Sequence, residues 1–391
     1  MTNIEQYRQQ FPGLAHKVYF NFGGQGILPR AAMEAILDTY HYIEQVGPFG
    51  GKINAWLRNK TAETKQAIAS ELGVTPETIA LTENVTVGCN IALWGIEWEA
   101  GEQILLTDAE HPGIIATVKE IARRFGVEIA TCPISATLNQ GDPVRVIGDY
   151  LQANTRLVVL SHILWNTGQV LPLQEIVEVC HNFPHGTKPV QVLVDAAQSV
   201  GTLPLNLTES GVDFYAFTGH KWLCGPSGVG GLYISPAAFS HLQPTFIGWR
   251  GVNTDSQGNV TGWKEDASRW EVATSAYPLF QGLKGAIATH GQWNSAPKRY
   301  QRICELSGYL WEELERMEGV KCLKNSPPEA GLVSFQLTGN ISPDELVKKL
   351  ERQGFLLRTL ANPYCVRACV HYFTLESEIE QLVAVIKKNL N

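Results

Sequence analysis

Between residues 75 and 235 of this 391-residue chain, short apolar runs alternate with amphipathic stretches. Thr78–Leu81, EQILLTD, VEIATCPI, RLVVLS, VQVLVD and Phe214–Phe217 each have the length of a strand. Several are separated by helical patterns, as in HPGIIATVKEIARRFG and Pro172–Cys180. Strands that are apolar on both faces need cover on both faces. The pattern therefore predicts an α/β fold with a mainly parallel sheet between helical layers. In such sheets ligands gather at the carboxyl ends of the strands. Thr86, His111, Asn166, Asp195 and Lys221 all fall just after expected strands, so residues far apart in sequence should converge on one site.

Lys221 is hard to read as an ordinary solvated charge. It follows Phe214–Phe217 and precedes Trp222 and Leu223, so its stem should be partly buried. Burial lowers a lysine pKa and makes the amine a usable nucleophile toward carbonyl carbon. Twenty-six positions upstream (221 − 195 = 26), Asp195 ends the run QVLVD. A reactive lysine and a strand-end carboxylate are the pair that pyridoxal phosphate (PLP) requires, one for the aldehyde and one for the ring nitrogen. TENVTVG passes from a strand into a helix, and the free N–H groups there, with Thr86, suit a phosphate; Thr86 could equally be a plain helix cap. Gly23, Gly24 and Gly26 form a turn through which backbone could approach a ligand.

The remaining segments divide the chain. Helices are expected over Arg30–Val46, Asn54–Leu72 and most of Leu279–Met317, with an irregular excursion after about residue 240. The tail reads strand Gly331–Leu337, helix Pro343–Gln353, strands Phe355–Leu360 and Tyr364–Phe373, and helix Ser377–Leu390. We expect a large domain over 15–260, a small α+β domain from 1–14 and 280–391, and an interface loop at 261–279. A net charge of −7 and a pI near 5.8 argue against nucleic acid or an anionic membrane as the main partner. MTNIEQYRQQFPGL lacks the apolar core of a signal peptide, and no apolar run reaches membrane-spanning length. The eight cysteines form no CxxC pair, so no metal site or disulfide framework is expected, and the cytoplasm is the expected compartment.

Taken together, VYFNFGGQGILP, TENVTVG, DAEHPG, VDAAQSVG, TGHKWLCGPSGVG, RWEVATSAYP and CVRACVHYFT resemble the class V branch of fold-type-I PLP enzymes. That group includes cysteine desulfurases, selenocysteine lyases and related C–S lyases. The resemblance implies a seven-stranded sheet in the large domain. It also implies that Lys221 holds PLP covalently and moves protons at Cα, that Asp195 keeps the ring nitrogen protonated, and that Gln198 bonds the phenolic oxygen. His111 would stack on the ring; Thr86, Val87, Thr218 and His220 would hold the phosphate, and Asn166 would contact the ring. Thr274 would reach the phosphate of a second subunit, making a homodimer the expected unit. Arg367 would clamp the substrate carboxylate, with Arg358 and Trp249 bordering the same pocket.

Cysteine desulfurases carry a nucleophilic cysteine on a small-domain loop, and LRTLANPYCVRACVHYFT leaves little room for one. Strand alternation puts Cys365, Arg367 and Cys369 on one face, Cys365 reading as packing rather than as a sulfur acceptor. This is the pattern of a cysteine or cystine C–S lyase, which eliminates persulfide or sulfide and leaves pyruvate and ammonia. Its sulfur could serve an acceptor or iron–sulfur scaffold protein. The alternatives are a desulfurase or selenocysteine lyase using Cys365, and an amino-acid epimerase.

Overall fold

The computed structural model describes residues 3–184 and 188–390. Its central sheet has seven strands: β1 (Ile79–Thr82), β2 (Gln103–Thr107), β3 (Glu128–Cys132), β4 (Thr155–Ser161), β5 (Gln191–Asp195), β6 (Phe214–Thr218) and β7 (Gly230–Ile234). Their spatial order is β1-β7-β6-β5-β4-β2-β3. Strands β6, β5, β4, β2 and β3 run parallel, while β7 is antiparallel to both neighbours. The mainly parallel sheet read from the sequence is present, with one reversal. Its cause is local. The link from β6 to β7 spans only residues 219–229, too few for a crossover helix. The link instead doubles back, with Gly219 N–H donating to Val229 and Gly225 N–H to Gly219. Lys221 sits in that return.

Period-two alternation assigns the strand residues to two layers. Leu105, Val158, Leu160, Val192, Val194 and Phe217 pack on one face. Ile104, Leu106, Leu157, Val159, Leu193 and Phe214 pack on the other. A fully buried aliphatic side chain contributes roughly 1.5–3 kcal/mol. Two such layers outweigh the cost of burying a few polar groups at the sheet edge, where Asp195 ends β5.

A second sheet is antiparallel, ordered β8 (Val320–Cys322), β9 (Leu332–Leu337), β11 (Tyr364–Cys369) and β10 (Arg358–Ala361). Helices Ala296–Glu315, Pro343–Arg352 and Glu376–Leu390 cover one face through Leu310, Leu350 and Leu382. Its other face meets the large sheet: Arg367 donates to the Trp165 carbonyl at 2.6 Å, and Ser334 to that of Asn166, also at 2.6 Å.

Several expectations shift in detail. The long helical region breaks at Asn294–Ser295 into Tyr277–Trp293 and Ala296–Glu315, with Pro297 in the first turn of the second helix. Phe355–Leu360 becomes two pieces, because Phe355–Leu356 pairs with Val18–Tyr19 and Arg358–Ala361 with β11. Helix Pro143–Tyr150 and strand β8 were not anticipated. The excursion contains a hairpin, Val252–Thr254 against Val260–Trp263.

Candidate active site

A cavity of about 450 Å³ opens at the carboxyl edge of the parallel strands. Asp195 is delivered by the end of β5 and Lys221 by the return after β6; both line it. Asp195 is buried, and desolvation pushes its carboxyl above the usual range, partly opposed by the Lys221 ammonium and the Ala197 N–H, which donates at 2.9 Å. Burial drives the Lys221 amine down to about 8; Asp195 opposes this, while Arg367 and Arg358 reinforce it. About a tenth of the amine is therefore unprotonated at neutral pH, far more than for an exposed lysine.

The glycine turn closes on protein rather than on open space. Gly26 N–H donates to the His220 carbonyl at 2.6 Å, and a Cβ at Gly26 would stand 2.1 Å from the Lys221 carbonyl oxygen. Gly23 faces Arg367, Cys369 and Gln198, each 3.0 Å from where its Cβ would be. The Gln198 amide is oriented at both ends, donating to Gly23 at 3.0 Å and accepting from the Trp222 indole at 2.8 Å.

Helix Val85–Gly95 points its N-terminus at the cavity. Asn84, not Thr86, is the cap, accepting from Val87 N–H at 3.0 Å. Val87 thus gives its N–H to the cap, leaving the amides of Val85 and Thr86 and the Thr86 hydroxyl as the anion-facing donors. Opposite them, the Thr218 hydroxyl and His220 Nδ1 are paired at 2.6 Å. His111 caps helix Pro112–Phe125 through Nδ1, and its ring meets Trp165 edge-on at 5.7 Å. Desolvation holds the His111 pKa below its ordinary value.

On β11, outside the residues that line the cavity, Arg367 is fully buried, yet its Nε and one Nη have no partner. An unpaired guanidinium edge in a dry site is an invitation to a carboxylate, because leaving it unmet is costly. Arg358 lies directly across the strand pair from Arg367, and its charge is felt at both Lys221 and His111.

Other residues lie apart. Asn166 turns its amide toward the Asn362 carbonyl at 3.4 Å, while neighbouring Trp165 lines the cavity. Trp249 and Thr274 are exposed on the excursion and do not line the cavity of a single chain. Cys365 is fully buried on β11, two residues beyond the tight turn at 362–363, and burial pushes its thiol up to about 11. Sequence reasoning missed Ser161, Ile163 and Trp165, which line the wall. Their position at and just past the end of β4 was the available signal. No group of residues suited to a metal ion occurs among the described residues.

Residues 18–382 match the aminotransferase class-V family, and the chain belongs to it. It is 31% identical over 392 residues to isopenicillin N epimerase of Streptomyces clavuligerus, covering 93% of each. It is 25% identical over 400 residues to a cysteine desulfurase of Haloferax volcanii, covering 94% of this chain and 88% of that one. Among solved structures, the complex between the cystine C–S lyase C-DES and its reaction product cysteine persulfide is 52% identical, with a TM-score of 0.95 over 97% of this chain and 99% of that one.

Proposed function

We propose that the protein is a PLP-dependent carbon–sulfur lyase that cleaves L-cystine or L-cysteine by β-elimination. The fit of the cofactor rests on this chain's own groups: a depressed amine, a buried carboxylate and a helix N-terminus around one cavity, with an unpaired guanidinium on β11 whose charge is felt at Lys221. When bound, PLP would supply an electron sink that makes the substrate Cα–H acidic and lets a β-substituent leave. Lys221 would anchor the aldehyde and, once released, take the proton from Cα. Asp195 would hold the ring nitrogen protonated. Gln198, fixed by Trp222 and Gly23, would direct its remaining N–H toward the phenolic oxygen. Val85, Thr86, Thr218 and His220 would hold the phosphate, and Arg367 the substrate carboxylate. With cystine and one water, the products would be cysteine persulfide, pyruvate and ammonia.

One observation carries elimination over sulfur transfer to protein. Transfer needs an accessible thiolate, and Cys365 is buried, on a strand, with its thiol held protonated. The 52% identity to a cystine C–S lyase supports the same reading. Incubation with cystine should yield pyruvate; alanine in its place would overturn the proposal. The 31% identity to an epimerase favours one alternative, removal and return of the Cα proton. Deuterium entering unreacted substrate without sulfur release would select it. We further propose a homodimer in which Thr274 and Trp249 serve the partner's cavity, with released persulfide available to a sulfur acceptor or iron–sulfur scaffold protein.

A further inference from the structure

Two histidines outside the cavity grip the chain immediately after Lys221. His371 Nε2 lies 3.0 Å from the Trp222 carbonyl, and His290 Nε2 lies 2.8 Å from the Leu223 carbonyl. A carbonyl only accepts, so both rings carry their hydrogen on Nε2. Their other nitrogens are consistent with this. His371 Nδ1 accepts from Tyr372 N–H at 3.1 Å, and His290 Nδ1 meets the Tyr372 hydroxyl at 2.7 Å. That hydroxyl is 2.5 Å from the hydroxyl of Tyr7 on the N-terminal helix Ile4–Arg8. With the His290 hydrogen on Nε2, Tyr372 must send its hydrogen to His290, which passes its own on to Leu223, while the single Tyr7 hydroxyl hydrogen is shared between the Tyr372 oxygen and the Thr289 carbonyl at 3.0 Å. The two rings are buried and stacked at 5.5 Å, and burial keeps both neutral, pressing His290 down to about 3.

Three segments remote in sequence thus direct polar groups toward two main-chain oxygens next to the reactive lysine. The same turn reaches the cavity a second way, because the Trp222 indole donates to Gln198, which lines it. We propose that His371 and His290 are positioning residues that fix the Lys221 turn against the small domain, setting the direction of the amine and, through Trp222, of the Gln198 amide. This rests on Lys221 being the point of cofactor attachment.

The test uses the holoenzyme and separates the donor from the packing. His371→Phe keeps a stacking ring and loses the N–H; His371→Gln keeps an N–H near the Nε2 position and loses the ring. The readouts are the pH midpoint of the lysine–cofactor chromophore and the rate at which cofactor is released to an apo-protein acceptor. In the Phe variant release should quicken about tenfold, the size of effect expected from one lost hydrogen bond, and the midpoint should rise as water reaches the linkage. The Gln variant should keep both near wild type even if its melting temperature falls. Equal damage in the two variants, or unchanged readouts in the Phe variant, overturns the proposal. If His371→Phe does not fold, His290→Leu against His290→Gln gives the same comparison at the second carbonyl. Failure of the attachment reading is seen separately, as wild-type protein that borohydride does not label at Lys221.

Discussion

At the carboxyl edge of the central sheet, the groups that set the cavity are held within the chain: Asp195 by Ala197, Gln198 by Gly23 and Trp222, Thr218 by His220. The segment 243–275 is equally well pinned, since buried Glu271 accepts from Leu81 N–H and pairs with Lys65 and Arg250. Yet it presents Phe246, Ile247 and Trp249 to solvent at 72%, 57% and 64% exposure. One region is ordered and complete; the other is ordered and uncovered. Order in an exposed apolar loop is costly unless something docks on it. In the proposed homodimer the chemistry would belong to one chain and the completion of its substrate pocket to a second.

The comparison breaks most sharply at Lys221. Lys221→Ala should abolish borohydride incorporation and lower kcat by at least about a thousandfold, as loss of a proton-transfer group does; retained labelling would move the chemistry elsewhere. Arg367→Gln should lower kcat/KM for cystine by about a hundredfold, the equivalent of one to two charge-assisted hydrogen bonds. A much smaller loss would assign the carboxylate to Arg358. Cofactor loading tests the electrostatics of the same region. The Lys221 amine titrates near 8, so loading of apo-protein should rise about tenfold per pH unit below that value and flatten above it. A rise continuing to pH 10 would show an amine that is not desolvated. In the uncovered region, Trp249→Ala should raise KM for cystine about fivefold, the cost of one partly buried aromatic contact, and shift sedimentation toward monomer. Cys365→Ala should leave pyruvate formation within about twofold of wild type, as for a packing residue that touches no substrate.

Much of the first region was legible in the sequence, and the reason is physical. Buried parallel strands are written as unbroken apolar runs, and a polar residue at the end of one is conspicuous, which is how Asp195, His111 and Lys221 stood out. What sequence pattern could not supply was direction. Asn166 and Trp165 are adjacent, and only the turn after β4 decides which of them reaches the cavity. Asn84 and Thr86 are both good caps, and the choice between them rests on backbone geometry two residues apart. The histidine grip on Trp222 and Leu223 was invisible, because no local pattern links positions 7, 222, 290 and 371. For the uncovered region, composition gave irregularity without shape.

The reversal at β7 makes the reactive loop intolerant of a change in length. A residue added between Gly225 and Val229 that slipped the register by one would flip the strand, turning Leu232 and Ile234 away from the layer they share with Phe214 and Ala216. Relatives that diverge elsewhere by insertion should therefore keep this stretch at constant length, and loop grafting at the site has to begin beyond it.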